Sequence, residues 1–176
     1  MLSRLNSAFF NVPITVKRVY VSPTPEPRPI PTPASPIVQH RRVHLLTAPL
    51  SMRDTDSTIW NPANPPQQRV VCVATSVVRI TSEVAARHFL DEKYAIGQVF
   101  RILGRVANFQ LLEVAIGAGN EVIGKPGKEY LKRKYLLKTE GFECEIIEVF
   151  LDREMFSVNN QGWLTTPDDF RDRDLN

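Results

Sequence analysis

The stretch LKRKYLLKTEGFECEIIEVFLDREMF, residues 131–156, reads as a β-hairpin. Glu140-Gly141 is its two-residue turn, because a primed hairpin turn favours glycine. That turn fixes the register. One face pairs Leu137 with Cys144, Tyr135 with Ile146, Arg133 with Glu148 and Leu131 with Phe150. The other pairs Lys138 with Glu143 and Lys134 with Ile147, a mixed face that can meet water. A slip of one residue would turn every apolar side chain to the wrong face, so the register is well specified. The chemical consequence concerns Glu148, which stands among apolar residues with Arg133 directly across, Cβ atoms about 5 Å apart. A carboxylate in such a place must be paired, hydrogen-bonded or protonated, because burial alone costs several kcal/mol. Two readings are open: an ion pair that fixes register, or an acid–base group of tuned pKa lining a cavity.

Around this hairpin the chain of 176 residues has the size of one domain with a sizeable core. Lysine and arginine outnumber aspartate and glutamate by 22 to 19, and the basic residues are scattered. A nucleic-acid binder concentrates them on one face with interleaved aromatics, so that class is set aside. Two cysteines, Cys72 and Cys144, lie inside apolar strand patterns; they read as buried thiols in a reducing, cytoplasmic setting rather than a disulfide framework. No apolar run reaches the roughly 18 residues of a membrane span. The first residues, MLSRLNSAFF, carry a faint transit-peptide character, and the plainer reading makes them part of the fold.

Upstream of the hairpin, FFNVPITVKRVYV (9–21) is a β-branched and aromatic strand. SPTPEPRPIPTPASP (22–36) holds seven prolines, which cannot donate to a sheet ladder, and reads as a stiff surface insertion. VQHRRVHLL (38–46) is a second strand, 48–68 a long loop, and RVVCVATSVVRI (69–80) a nearly continuous apolar central strand. TSEVAARHFLDEKY follows as an amphipathic helix capped by Thr81 or Ser82, with Ala85, Ala86, Phe89 and Leu90 inward and His88 at the surface. AIGQVFRIL is one or two helical turns, ANFQLLEVAI a strand, and GAGNEVIGKPGKEY a loop. GNEVIGKP mimics a phosphate loop, but Pro126 stands where the magnesium-binding hydroxyl belongs. The pattern predicts an α+β domain over 1–156 and a loosely ordered acidic tail over 157–176.

KYLLKTEGFECEIIEVF, with Gly141, Glu148 and Phe150 at their spacing, resembles the C-terminal hairpin of the chorismate pyruvate-lyase family. HRRVHLL is similar to that family's arginine-bearing strand and CVATSVVRI to its central strand. FLDEKYAIGQVF is similar to its segment with a hydrophobic-Gly step, and LSRLNSAFFNVPITVKRV to its first strand and preceding helix end. The resemblance covers most of residues 1–156 apart from the insertions 22–36 and 48–68.

The resemblance implies an antiparallel sheet of about six strands, with helical flaps closing over an internal ligand cavity. It implies a lyase needing neither metal nor organic cofactor, which releases pyruvate from chorismate to leave 4-hydroxybenzoate, or a related elimination, dehydration or isomerisation in secondary metabolism. Carried over by position, the catalytic glutamate is Glu148, and Arg42 grips a substrate carboxylate. Ile96 and Gly97 contact substrate, and Leu2 falls near the family's early methionine. Thr75 replaces a second family arginine, giving one hydroxyl for a charged fork, and Arg133 is the candidate to fill that gap. The expected partner is a small carboxylic or polyketide-like acid, with no nucleic acid or membrane, in a monomer or homodimer. The alternative is a non-catalytic small-molecule-binding module of the same fold.

Overall fold

The computed structural model describes residues 14–47, 69–104, 106–119 and 127–156. Six strands form one antiparallel sheet: β1 (Ile14–Val21), β2 (Ile37–Thr47), β3 (Arg69–Ile80), β4 (Asn108–Ala118), β5 (Glu129–Thr139) and β6 (Phe142–Phe150). Their spatial order is β1-β2-β3-β6-β5-β4. Two three-stranded meanders are thus joined so that the last strand returns to the side of β3. Helices occupy the crossover between the meanders. The α+β class and the six antiparallel strands agree with the sequence reading. Leu2, the loop 48–68 and the acidic tail 157–176 lie outside the described residues.

The crossover begins at Ser82, the N-cap of α1 (Glu83–Ala86), whose side chain makes no capping bond. The helix widens at once into a π-helical segment, Arg87–Asp91. This differs from the expected plain amphipathic helix, yet Ala85, Ala86 and Phe89 are buried and Leu90 packs against the same cluster. His88 is half-buried rather than at the surface, and its Nδ1 lies 2.7 Å from Glu92 Oε2. α2 (Ile96–Ile102) starts after Ala95, whose N–H donates to the Gln98 side chain at 2.9 Å.

Both helices cover one face of the sheet. Their Ala85, Ala86, Phe89, Val99 and Phe100 pack on Val78, Ile80, Phe142 and Cys144. Phe142 meets Phe89 and Phe100 edge-on, with ring centroids 5.2 and 5.3 Å apart, an arrangement that adds to simple area burial. A second, smaller cluster of Leu45, Val71, Cys72, Phe150 and Met155 lies on the same face towards the other end, closed by the short 3₁₀ turn Arg153–Phe156. Both cysteines are buried and free.

The hairpin register is the expected one: Leu131 faces Phe150, Arg133 faces Glu148, Tyr135 faces Ile146 and Leu137 faces Cys144. The turn differs from expectation. Gly141 has φ +80° while Glu140 keeps a negative φ, so the turn lacks the positive first residue of a primed type. Glycine is required by that positive φ and by its surroundings. A Cβ at Gly141 would collide with Ser82, and the Gly141 carbonyl accepts from the Thr81 N–H at 3.0 Å, docking the turn onto the start of α1. Gly141→Ala should therefore lower stability by about 1–3 kcal/mol, read as an earlier urea midpoint at unchanged slope.

The proline-rich segment 22–36 lacks regular structure and is tied down at defined points. Pro31 is buried, and the Arg28 guanidinium bridges Glu83 and Asp91 on the first helix. The stiff insertion is thus a strap tied to the helix-bearing face.

Candidate functional site

Alternation along a strand sends successive side chains to opposite faces, and directly paired residues share a face. The row through Glu148 on the helix-bearing face is therefore Arg18, Val43, Ala74, Glu148, Arg133 and Val114, one residue from each strand. The next row towards the helices is Val21, Arg41, Ser76, Ile146, Tyr135 and Leu111. Beyond Glu148 on the other side lies the row of Leu45, Cys72, Phe150 and Leu131. Glu148 thus occupies the seam between the two apolar clusters.

Glu148 is 4 % exposed. Arg133 donates to its Oε2 from Nε at 3.1 Å and from Nη2 at 2.8 Å. The Tyr135 hydroxyl donates to Oε1 at 2.9 Å. The Arg133 guanidinium also sits 4.9 Å over the Tyr135 ring, so the three side chains brace one another. Burial raises the Glu148 pKa, and the Arg133 and Tyr135 hydrogen bonds only partly offset it. Burial and the facing carboxylate likewise push the Tyr135 phenol far up, so it stays a donor. The result is a buried carboxyl whose charged form burial disfavours and whose orientation is fixed by donors on both oxygens, an arrangement suited to exchanging a proton.

Arg133 is less buried than its partner, at 28 % side-chain exposure, and borders an apolar strip on β4. Phe109, Leu111, Val114 and Ile116 share the Glu148 face there and are all exposed. On the other side the row continues over Val43 and Ala74, two partly exposed small side chains. Neither cysteine is poised as a nucleophile: burial pushes the Cys144 thiol up to about 12 and the Cys72 thiol up as well, the latter reinforced by the Glu148 charge.

The residues expected to form one site fall into separate places. Arg42 and Thr75 face each other across β2 and β3, in the row that runs on through Ile147 and Lys134 to Glu113. That is the face opposite Glu148, which corrects the expectation that Arg42 and Glu148 converge. There they line a hollow of about 600 Å³ with Tyr20, His40, Val77 and Glu145. The arginine of β2 on the Glu148 face is Arg41. Ile96 lies in the first turn of α2, packed against the larger cluster, and Gly97 is exposed beside it with open space around its Cα. Neither makes a hydrogen bond to Glu148.

Sequence reasoning missed Arg41 and the hydroxyl of Tyr135. Tyr135 was legible, two residues from Arg133 on the same strand face. Arg41 was not: β2 carries polar and apolar residues on both faces, and β3 has valines on both, so the parity linking β2 to β6 has only the weak signal of Thr75 and Arg79 on one side. Among the described residues no group of three or more His, Cys, Asp or Glu could hold a metal ion, and no helix is long and apolar enough to cross a membrane. No protein-family model matches the chain, and no curated protein matches it at a significant level. The class that the architecture defines is an α+β domain built on a six-stranded antiparallel sheet with a braced, buried Arg–Glu–Tyr group.

A raised carboxyl pKa means the folded state holds the proton more tightly than the unfolded chain. Its stabilising contribution is complete below the unfolded value of roughly 4.3 and is lost as pH rises through the folded value. Relative to Glu148→Gln, the wild-type protein should therefore lose stability on going from pH 4 upward. Arg133→Met should steepen that loss and cost about 3 kcal/mol near neutrality, because it strands a buried carboxylate. Urea titrations of the three proteins across this pH range check both statements.

Proposed function

We propose that this domain is a cofactor-free, lyase-type enzyme of chorismate lyase-like kind, acting on an unsaturated, carboxylate-bearing small molecule with Glu148 as the acid–base group. The observation that carries the reading is the buried carboxyl of Glu148, raised in pKa and oriented from both sides by Arg133 and Tyr135. An elimination breaks a carbon–oxygen bond while a proton leaves the neighbouring carbon. The electrons of the C–H bond become the new double bond, and the departing enol takes up a proton to become the keto acid. A single carboxyl that alternates between acid and base can move that proton, and a dry surrounding strengthens each contact. Arg133 supplies the only guanidinium in contact with Glu148 among the described residues, so it keeps the group oriented and holds charge that develops beside it. The apolar β4 strip next to Arg133 suits the ring of such a substrate.

A second reading, a non-catalytic binding module, is favoured by a different observation: the Arg42–Thr75 hollow lies on the face away from Glu148. A ligand held there would be out of reach of the carboxyl. One pair of measurements separates the readings. Purified protein incubated with chorismate, and with related cyclohexadiene carboxylic acids, should release pyruvate or the corresponding keto acid. Glu148→Gln should lower kcat by at least about 100-fold while ligand affinity stays within about tenfold. Ligand binding without turnover, weakened by Arg42→Gln and indifferent to Glu148→Gln, would establish the binding module instead.

A further inference from the structure

Beneath the proline-rich strap lies a hollow of about 490 Å³, within the size range of small-molecule sites. Four cationic side chains reach it: Arg18 from β1, Arg41 from β2, Arg28 from the strap and Lys93 after the π-helical segment. The carboxylates on its wall are Glu26 and Asp91. Arg28 is already committed, bridging Asp91 and Glu83. That leaves Arg18, Arg41 and Lys93 facing Glu26 alone, a local excess of positive charge.

Arg41 is the centre of this excess. It is half-buried, and its guanidinium lies 4.8 Å over the Phe89 ring. Among the described residues no carboxylate pairs with Arg41 or with Arg18. Burial, and then the Arg18 charge, both disfavour the protonated form of Arg41. A half-buried guanidinium beside a second one in the adjacent row, with no carboxylate partner among the described residues, has charge-assisted hydrogen bonds to offer an anion. Lys93 stands on the same wall. It is the one non-glycine residue of positive φ among the described residues, at +58°, a conformation tolerated at a cost of about 1–3 kcal/mol. The rest of the wall is mixed: Phe89 and Leu90 give it an apolar helical side, Pro23 and Pro25 an apolar strap side, and Ser22, Thr24 and Gln39 add neutral polar groups.

We propose that this hollow is an anion-binding site for a small organic acid, whose carboxylate lies between Arg41 and Arg18 and whose apolar body packs against Phe89 and Leu90 beneath the strap. The site is distinct from the Glu148 group and does not depend on Glu148 being catalytic. The Arg28 bridges to the helix hold the strap over the ligand.

Calorimetric titration with benzoate as the probe tests this. Saturable binding is expected, weakened at least about tenfold by Arg41→Gln and about fivefold by Arg18→Gln. Arg79→Gln, which removes an equal charge from an exposed position on the opposite face, should leave the affinity unchanged. Benzyl alcohol, the same body without charge, should bind at least about tenfold more weakly than benzoate. Arg18 is exposed on an edge strand, so its variant will fold even where Arg41→Gln does not, and it then decides the question. Absence of saturable benzoate binding up to about 10 mM overturns the proposal. So does equal affinity in the Arg18 and Arg41 variants, or equal affinity for benzyl alcohol. Inorganic phosphate binding as tightly as benzoate would overturn the organic-acid class.

Discussion

A charged group placed on the covered face of a sheet is the constraint around which this domain is built. Glu148 cannot be left alone among Cys72, Ile146 and Phe150, and two neighbours answer that demand. Arg133 comes from the directly opposed position of the hairpin, Tyr135 from the next rung, and the Arg133 guanidinium lies over the Tyr135 ring. The hairpin register that brings them together is the same one that buries Phe142, Cys144, Ile146 and Phe150. Hydrophobic segregation and charge pairing therefore enforce one alignment, which is the consistency expected of a sequence that specifies a single structure.

The seam position of Glu148 also explains why the two apolar clusters stay separate. Helices α1 and α2 close over the end of the sheet that carries Ile80 and Phe142, anchored where the Gly141 turn meets Thr81 and Ser82. The 3₁₀ turn closes the other end over Cys72 and Phe150. Between them run rows with small or polar side chains: Val43, Ala74 and Ser76 as floor, Arg18 and Arg41 on one side, Arg133 and the exposed β4 strip on the other. A partly uncovered, mixed-polarity band flanked by rigid, well-packed ends is where ligand chemistry is accommodated most readily, because the packing that fixes the geometry lies elsewhere. The strap 22–36 bounds this band at the β1 side, and its Arg28 bridges fix it to the helix.

Much of this was written locally. The strands 37–47 and 69–80, the helix-forming stretch after Ser82, the hairpin register and the Arg133–Glu148 opposition all follow from alternation, caps and a glycine turn, which are short-range constraints. Burial of both cysteines followed from the same patterns. The hydrogen bond of Tyr135 to Glu148 was within reach of that register too, because the two residues lie on adjacent rungs of one face.

What no local rule could give was the pairing between the two meanders. Whether Arg41 or Arg42 shares a face with Glu148 depends on the β3–β6 register. β3 carries valines on both sides, so alternation along it marks the buried face only weakly. Only packing of the whole sheet, with Ile37, Val78 and Ile80 turned towards the helices, sends Arg41 to the Glu148 face and Arg42 with Thr75 to the other. The strap shows the same division. Its stiffness is written in seven prolines, but its place over Phe89 comes from ion pairs with residues 55 and 63 positions away in the chain. Short-range chemistry determined the elements and the charged pair. The long-range fit of one meander against the other decided which cations face which side.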